Sequence, residues 1–339
     1  MNYPNKMKAV ALTHYLPIEH ENSLLDVVLD TPAVGEHDLL VQVKSIGANP
    51  VDYKIRAPKA QVESIPRVLG WDAAGIVVEK GAQVKGFELG DEVFYAGAIH
   101  RPGANSQYHA VDHRIVGRKP TNLSFAQAAA LPLTSLTAWE LLERMGVSAS
   151  SEHKTLLVIG GAGGVPSMLI QLAKLMGKTV IATASRPESE AWVKKLGADY
   201  VVNARNNLPQ SLEMIGFKQI DAIANTVDTN AYWNDMLDLI APEGSIGLIV
   251  EPSAPVDIAK MHRKSVRLVY ELMFTRSLFS TQTMPKQAEI LNQISHLVEQ
   301  GQVQQTVSQV FDGLNADNLK KMHAMLETKA TIGKLVLQV

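Results

Sequence analysis

The hydrophobic rhythm of the chain changes a little after residue 120. Up to that point short apolar or alternating runs are broken by turn residues: "MKAVAL", "LLDVVLD", "DLLVQVKSIGA", "GIVVEKGAQV" and "GDEVFYAG". They predict a β-rich region. "SFAQAAALPLTSLTAWELLERMGV" then carries a helical pattern, with Ser124 and Gln127 at capping-box spacing and Gly146 at its close. From Lys154 strand and helix alternate: strand "TLLVIG", helix Pro166–Met176, strand "TVIATA", helix "PESEAWVKKLG" and strand "YVV". Strand "IDAIANT", helix "AYWNDMLDLIA" stopped near Pro242 and Gly244, and strands "SIGLIV" and "VRLVYELMF" complete the series. Such βαβ succession predicts a parallel sheet of about six strands with helices on both faces. Beyond Met284 the pattern reads helix "KQAEILNQISHLVEQG", strand "TVSQVF", helix "NADNLKKMHAML" and strand "GKLVLQV".

The turn "GGAGGVP" sits where the first strand of this series meets its helix, and Gly161, Gly163 and Pro166 fall on the three positions of GxGxxG. In that context the motif predicts a dinucleotide site, because small residues let a pyrophosphate approach the N–H groups and dipole of a helix N-terminus. Proline at the third position removes one N–H, which the first helical turn tolerates. An NAD site would carry Asp or Glu at the end of the second strand, some twenty residues on. Here that end reads Thr183, Ala184, Ser185, Arg186. A hydroxyl and a guanidinium suit a 2′-phosphate, so the pattern favours NADP(H) over NAD(H).

Composition narrows the field. The 339 residues are 46% hydrophobic and 19% charged, and 34 acids nearly cancel 32 bases, giving a net charge of -2. That is an ordinary globular balance with room for two domains, and it argues against a nucleic-acid partner. No stretch approaches a membrane span and no signal peptide is visible, so a cytoplasmic location without membrane association is expected. The chain has no cysteine, which excludes disulfides, thiolate nucleophiles and cysteine-ligated zinc.

Several stretches carry a family likeness. "VLGWDAAGIVVEKGAQVKGFELGDEVF", "AAALPLTSLTAWELL" and "GKLVLQV" resemble the medium-chain dehydrogenase/reductase superfamily over essentially the whole chain. "GANPVDYKIR" and "GGAGGVP" resemble its quinone oxidoreductase branch, and "RPGANSQYHAVDHRIVGRKP" and "HRKSVRLVYELMFTRSLFSTQ" its bacterial zinc-type alcohol dehydrogenase-like group. The resemblance implies an α/β fold: a doubly wound parallel Rossmann sheet at 131–275, plus a β-rich GroES-like catalytic domain at 1–130 completed by 276–339. Zinc-dependent relatives hold their catalytic ion with a Cys, the His of a GHE motif and a second Cys. Those positions fall here on Asn49, on Trp71 within Gly70-Trp71-Asp72, and near Leu133. Such side chains do not build a tetrahedral zinc site, so no metal is expected there, and a substitute cluster of His100, His109 and His113 is the weaker alternative.

Without a Lewis acid, alcohol oxidation loses its driver, whereas reduction of an electron-poor acceptor does not need one. The resemblance therefore implies a zinc-independent oxidoreductase that passes hydride from NADPH to a quinone or an α,β-unsaturated carbonyl, a small-molecule substrate. A zinc-dependent alcohol dehydrogenase and a non-catalytic NADP(H)-binding sensor are the competing readings. Asn49 is expected to orient substrate or cofactor and Tyr53 to donate a hydrogen bond or proton, although the branch commonly carries its tyrosine at what is here Lys54. Asp52 is expected to anchor its loop and Tyr95 to wall the substrate cleft. The cofactor set comprises Gly161, Ala162, Gly163, Gly164, Val165, Ser185 and Arg186. By resemblance it also takes in Thr137, the strand-end residues Asn225, Thr226, Val227, Leu248, Ile249 and Val250, and Phe274. A homodimer through the sheet edge near "SIGLIV" is expected by the same analogy.

Overall fold

The computed structural model describes residues 3–339, and its chain divides into two compact units, one running up to Leu133 and resuming at Phe274–Val339, the other Thr134–Met273. The family resemblance implies these switches at 130/131 and 275/276.

The first unit is the β-rich one. Strands Val307–Asp312, Lys334–Gln338, Asp38–Gly47, Ala73–Lys80, Glu92–Tyr95 and Val116–Arg118 lie side by side in that order, and Tyr108–Asp112 pairs with Asp38–Gly47. A smaller sheet is ordered Leu25–Asp30, Lys6–Tyr15, Lys59–Val68. Alternation in "DLLVQVKSIG" gives way to burial on both faces, since Leu39, Leu40, Val41, Val43 and Ile46 are all buried. Gly75 permits the pairing of this strand with Ala73–Lys80, because a Cβ there would stand 2.2 Å from the Gln42 carbonyl oxygen. Among the elements that escape the sequence pattern are the strands Tyr108–Asp112 and Val116–Arg118, the helix Pro50–Arg56 and the strand Lys59–Val68. That strand is largely exposed and carries Pro66, as an edge strand can.

The second unit is a six-stranded, all-parallel sheet ordered Tyr200–Val202, Thr179–Thr183, Thr155–Ile159, Ile220–Asn225, Ile240–Leu248, Arg267–Tyr270. In chain order this is 3-2-1-4-5-6, the doubly wound Rossmann arrangement, with its topological switch point between Thr155–Ile159 and Ile220–Asn225. Leu157, Ile159, Ile181, Ile223, Ile246 and Trp233 belong to one apolar core.

Three boundaries differ from the sequence pattern. The helix opening at the glycine turn spans Gly164–Leu175, so Pro166 is its third residue rather than its first. "SIGLIV" is not an edge: its strand begins at Ile240 and lies between Ile220–Asn225 and Arg267–Tyr270, with Ser245 opposite Arg267. "VRLVYELMF" keeps only Arg267–Tyr270 as strand, because the Glu271 side chain turns into the core while Leu272 stays exposed.

Candidate functional site

In the second unit, Gly160 follows the central strand at φ 90°, a conformation open to glycine, and a Cβ there would meet Val227 Cγ1 at 2.6 Å and Thr226 Oγ1 at 2.8 Å. At Gly161 a Cβ would lie 2.9 Å from the Thr183 carbonyl oxygen. These close approaches draw three strand ends together. Gly160 N–H donates to Thr183 Oγ1 (2.9 Å), Gly161 N–H to Thr183 O (3.1 Å), and the Thr226 hydroxyl to Ile159 O (2.7 Å). Asn225 is fully buried; its Oδ1 accepts from Val227 N–H and its amide donates to Asp228 O.

Gly163 caps the helix Gly164–Leu175, whose first turn exposes N–H groups with no intrahelical partner, and Pro166 forfeits only a donor that the helix would not use. Sequence reasoning missed two supports of this turn. Trp192 Nε1 donates to the Ser167 hydroxyl (2.9 Å), which in turn donates to Gly163 O (2.6 Å), so the turn is oriented before any ligand arrives. Ala162, Gly163, Gly164 and Val165 are partly exposed around it. The arrangement fits a pyrophosphate: a cradle that side chains would fill, beneath a helix N-terminus.

Ser185 and Arg186 follow Thr183 and are exposed. The parallel register sets Thr183 opposite Val202, and Ala184 N–H donates to Val202 O, which brings the segment 203–205 alongside. Arg205, absent from the sequence-based set, is exposed there, and its N–H donates to Asn203 Oδ1 in a tight turn. Neither strand end carries a carboxylate between Thr183 and Arg186 or between Val202 and Asn207.

Leu248 is fully buried, while Ile249 and Val250 are partly exposed at the next strand end. Thr137 is 5% exposed on the helix Pro132–Met145. Phe274 falls in the first unit, 2% exposed and edge-on to Trp71 at 6.3 Å between ring centroids, so its place there is an aromatic core contact.

Beside Leu248 lies a charge cluster that no sequence signal announced. Glu271 N–H donates to Leu248 O (2.9 Å), while its buried side chain pairs with Arg144 and shares a hydrogen bond with Glu140. Burial, then the neighbouring Glu140 charge, pushes the Glu271 carboxyl up to about 8, against the pull of Arg144. The folded chain therefore keeps this proton to higher pH than the unfolded chain does. Its contribution is complete below the ordinary glutamate range and is lost as pH rises toward 8. We expect the melting temperature of the natural chain to fall between pH 5 and 8.5 by roughly 5 °C more than that of Glu271→Gln. Parallel pH profiles in differential scanning calorimetry would remove Glu271 as the cause.

In the first unit, Asn49 stands where the resemblance places a metal ligand, and Asp72 directly follows Trp71, which stands at another. Lys334, from the last strand, donates to Ala48 O (2.8 Å), Asn49 Oδ1 (2.6 Å) and Asp72 Oδ2 (2.8 Å). Asn49 Nδ2 also donates to Asp72 Oδ2 (2.8 Å), and Leu133 N–H to Asp72 Oδ1 (2.7 Å). All three charged or polar side chains are at most 3% exposed. Trp71 is likewise buried and donates to Ala98 O (3.3 Å). Asn49 also caps the helix Pro50–Arg56, and its N–H donates to Asp52 Oδ2 (2.7 Å), so Asp52 does anchor the loop. Burial pushes the Asp52 carboxyl up to about 7, opposed by that N–H and by the Lys334 ammonium.

Tyr53, on the same helix, is half-buried, and burial followed by the Glu327 charge pushes its hydroxyl upward, so it keeps its proton at neutral pH. The helix is pinned by Arg56, which donates to Leu16 O, to Glu327 and to His323 Nδ1 (3.3 Å). Burial and Arg56 push His323 down to about 3, which keeps that ring neutral and able to accept. Tyr95 is 1% exposed, with its hydroxyl 3.1 Å from His109 Nδ1 in the unit's core, so it walls no open surface. His109 Nε2 faces Pro102 O at 2.9 Å and burial pushes this histidine down to about 4. Among the described residues no group of three His, Cys, Asp or Glu side chains converges as a metal site would require.

Comparison with known proteins covers both units. Residues 35–137 match the alcohol dehydrogenase GroES-like domain and residues 164–292 the zinc-binding dehydrogenase family. A zinc-type alcohol dehydrogenase-like protein of Staphylococcus epidermidis is 40% identical, over 98% of this chain and 99% of its own. The NADPH-dependent alkenal/one oxidoreductase of Arabidopsis thaliana is 39% identical over 59% of this chain and 53% of its own. Among solved structures, a Rhizobium etli protein classed provisionally as a zinc-dependent alcohol dehydrogenase superposes with a TM-score of 0.94, at 44% identity and 99% coverage of both chains. The Escherichia coli quinone oxidoreductase in complex with NADPH gives 0.80, at 26% identity, covering 98% of this chain and all of that one.

Proposed function

The chain belongs to the medium-chain dehydrogenase/reductase superfamily, and from that premise we propose a zinc-independent, NADPH-dependent reductase of quinones or α,β-unsaturated carbonyls. One observation carries the reading: the three metal-ligand positions hold Asn49, Trp71 and Leu133. An indole N–H only donates, an alkyl chain coordinates nothing, and the Asn49 amide is spent on Lys334 and Asp72. Zinc does not fit this donor set. The cofactor cradle does fit NADPH, with Gly161 to Val165 taking the pyrophosphate and Ser185, Arg186 and Arg205 the 2′-phosphate. Bound there, the cofactor supplies hydride. The names of the Arabidopsis and Escherichia coli relatives support the acceptor class.

The chain's own part is to orient, to exclude water and to provide a proton. Tyr53 is the proton donor of this reading, since its hydroxyl is held protonated and lies on a helix fixed at both ends by Asn49 and Arg56. Asn49 acts as a positioning residue. The unpaired edge of Arg267–Tyr270, with Tyr270 and Leu272 exposed, is the surface proposed for a homodimer.

Purified protein should consume NADPH, read at the nicotinamide absorbance band, with at least one member of a quinone and enone panel. Tyr53→Phe should lower kcat about 100-fold with little change in the KM for NADPH. Absence of turnover with every acceptor would sink the reading. An unchanged kcat in Tyr53→Phe would remove the tyrosine from it.

A further inference from the structure

We infer that the helix Pro187–Lys195 spaces the two phosphate subsites of the cofactor, with Trp192 as the positioning residue that fixes this helix to the glycine turn. The inference rests on the dinucleotide reading above. At its start the helix carries Arg186 as N-cap, and the buried Ser189 hydroxyl holds that residue's backbone, accepting from Arg186 N–H (3.2 Å) and donating to Arg186 O (2.8 Å). Further along, two successive residues seat the helix on the turn. Val193 is fully buried against Gly161, where a Cβ would crowd its Cγ1 at 3.2 Å, and Trp192 Nε1 donates to the Ser167 hydroxyl (2.9 Å). From Arg186 to Trp192 the helix rises about 9 Å. One rigid element therefore ties the arginine proposed for the 2′-phosphate to the turn proposed for the pyrophosphate.

Trp192 acts through the direction of a proton. An indole N–H only donates, so the Ser167 oxygen accepts from it and gives its own single proton to Gly163 O (2.6 Å), which also accepts the Ser167 N–H (3.0 Å). A carbonyl held twice fixes its peptide plane. Across a trans peptide the N–H points the opposite way, and here that N–H belongs to Gly164, the first residue of the helix Gly164–Leu175. Trp192 thus aims the Gly164 donor outward, where a helix N-terminus meets an anion. Ser167 is fully buried, so water does not replace the indole as its partner.

The test is calorimetric titration of the full chain with NADPH, NADH and 2′-AMP, which carries the 2′-phosphate but no pyrophosphate. Trp192→Phe keeps an aromatic ring and deletes the N–H. It should raise the dissociation constants for NADPH and NADH by the same factor, about fivefold, the usual size for one hydrogen bond, and leave that for 2′-AMP within about twofold of the natural value. Ser167→Ala should weaken both dinucleotides as much, and the double variant no further, because the two residues act in series. An unchanged affinity for NADPH in Trp192→Phe would overturn the inference. So would a loss shared by 2′-AMP, which marks general damage to the adenosine side, or strictly additive losses. Should Trp192→Phe fail to fold, Ser167→Ala decides with the same three ligands. A natural chain that binds neither dinucleotide would sink the cofactor reading itself, whereas one that binds both, beside an indifferent Trp192→Phe, would sink the role of the helix alone.

Discussion

Asp72→Ala is expected to destabilise the first unit by about 3–5 kcal/mol, the range for removing one partner of a buried ion pair, and to lower the melting temperature by roughly 10 °C. The reason lies less in the lost attraction than in what remains. The Lys334 ammonium would be left 3% exposed with only carbonyl oxygens around it, and the Leu133 N–H and one Asn49 amide proton would lose their acceptor. Uncompensated buried charge is the costly state, so removing both charges should cost less than the two single losses together. Asp72→Ala combined with Lys334→Met is therefore expected to be more stable than the sum of the single effects by at least ~1 kcal/mol in a double-mutant cycle measured by urea unfolding. Strict additivity would mean that the two groups do not sense one another. Asp72→Asn should fall between parent and alanine, because an amide oxygen still accepts from Leu133 while the charge is gone.

The Rossmann half was legible because every element announces itself locally. "TLLVI" and "IDAIAN" are short apolar runs bounded by turn residues, and the glycine turn follows directly on the first of them. Where local signals misled, a tertiary contact had prevailed. "APEG" looks like the turn before a strand, yet the strand Ile240–Leu248 begins ahead of it and carries it as an irregularity, the pairing passing from Ile240 to Ser245, with Glu243 at φ 62° and its N–H donating to Lys264 O. Likewise "YELMF" looks like continuous strand until Glu271 is drawn to Arg144 and Glu140. The capping box of Ser124 and Gln127 forms, but Pro132 opens a second helix where the pattern suggested one. At the candidate site, Asn49 and Asp52 were visible within one motif. Lys334 was not: 262 residues separate it from Asp72, and no periodicity links a terminal strand to a loop that distant. Arg205 was missed for a related reason, since only the pairing of Thr183 with Val202 brings its turn beside Arg186.

That pairing supports the most selective functional prediction, that Arg186→Ala with Arg205→Ala will raise the dissociation constant for NADPH about 100-fold, or ~2.7 kcal/mol, while changing that for NADH less than about threefold. Each guanidinium can donate charge-assisted hydrogen bonds to a phosphate, worth about 1.5–3 kcal/mol where partly shielded and less where exposed, so about tenfold per arginine is the expectation for these exposed side chains. Selectivity follows from chemistry: the two cofactors differ only in the 2′-phosphate, and a residue that touches no other part of the cofactor should leave NADH binding unchanged. The absence of Asp or Glu from either strand end means that NADH gains no ribose partner when the arginines go. The natural protein's preference should also weaken steeply with salt, and the double variant's should not, because only the former relies on exposed ion pairs. Fluorescence titration with both cofactors at two ionic strengths separates the outcomes. Equal weakening toward NADPH and NADH would place the arginines at the pyrophosphate, no weakening toward either would place them outside the site altogether, and a loss confined to Arg186→Ala would leave Arg205 as a solvated residue of its turn.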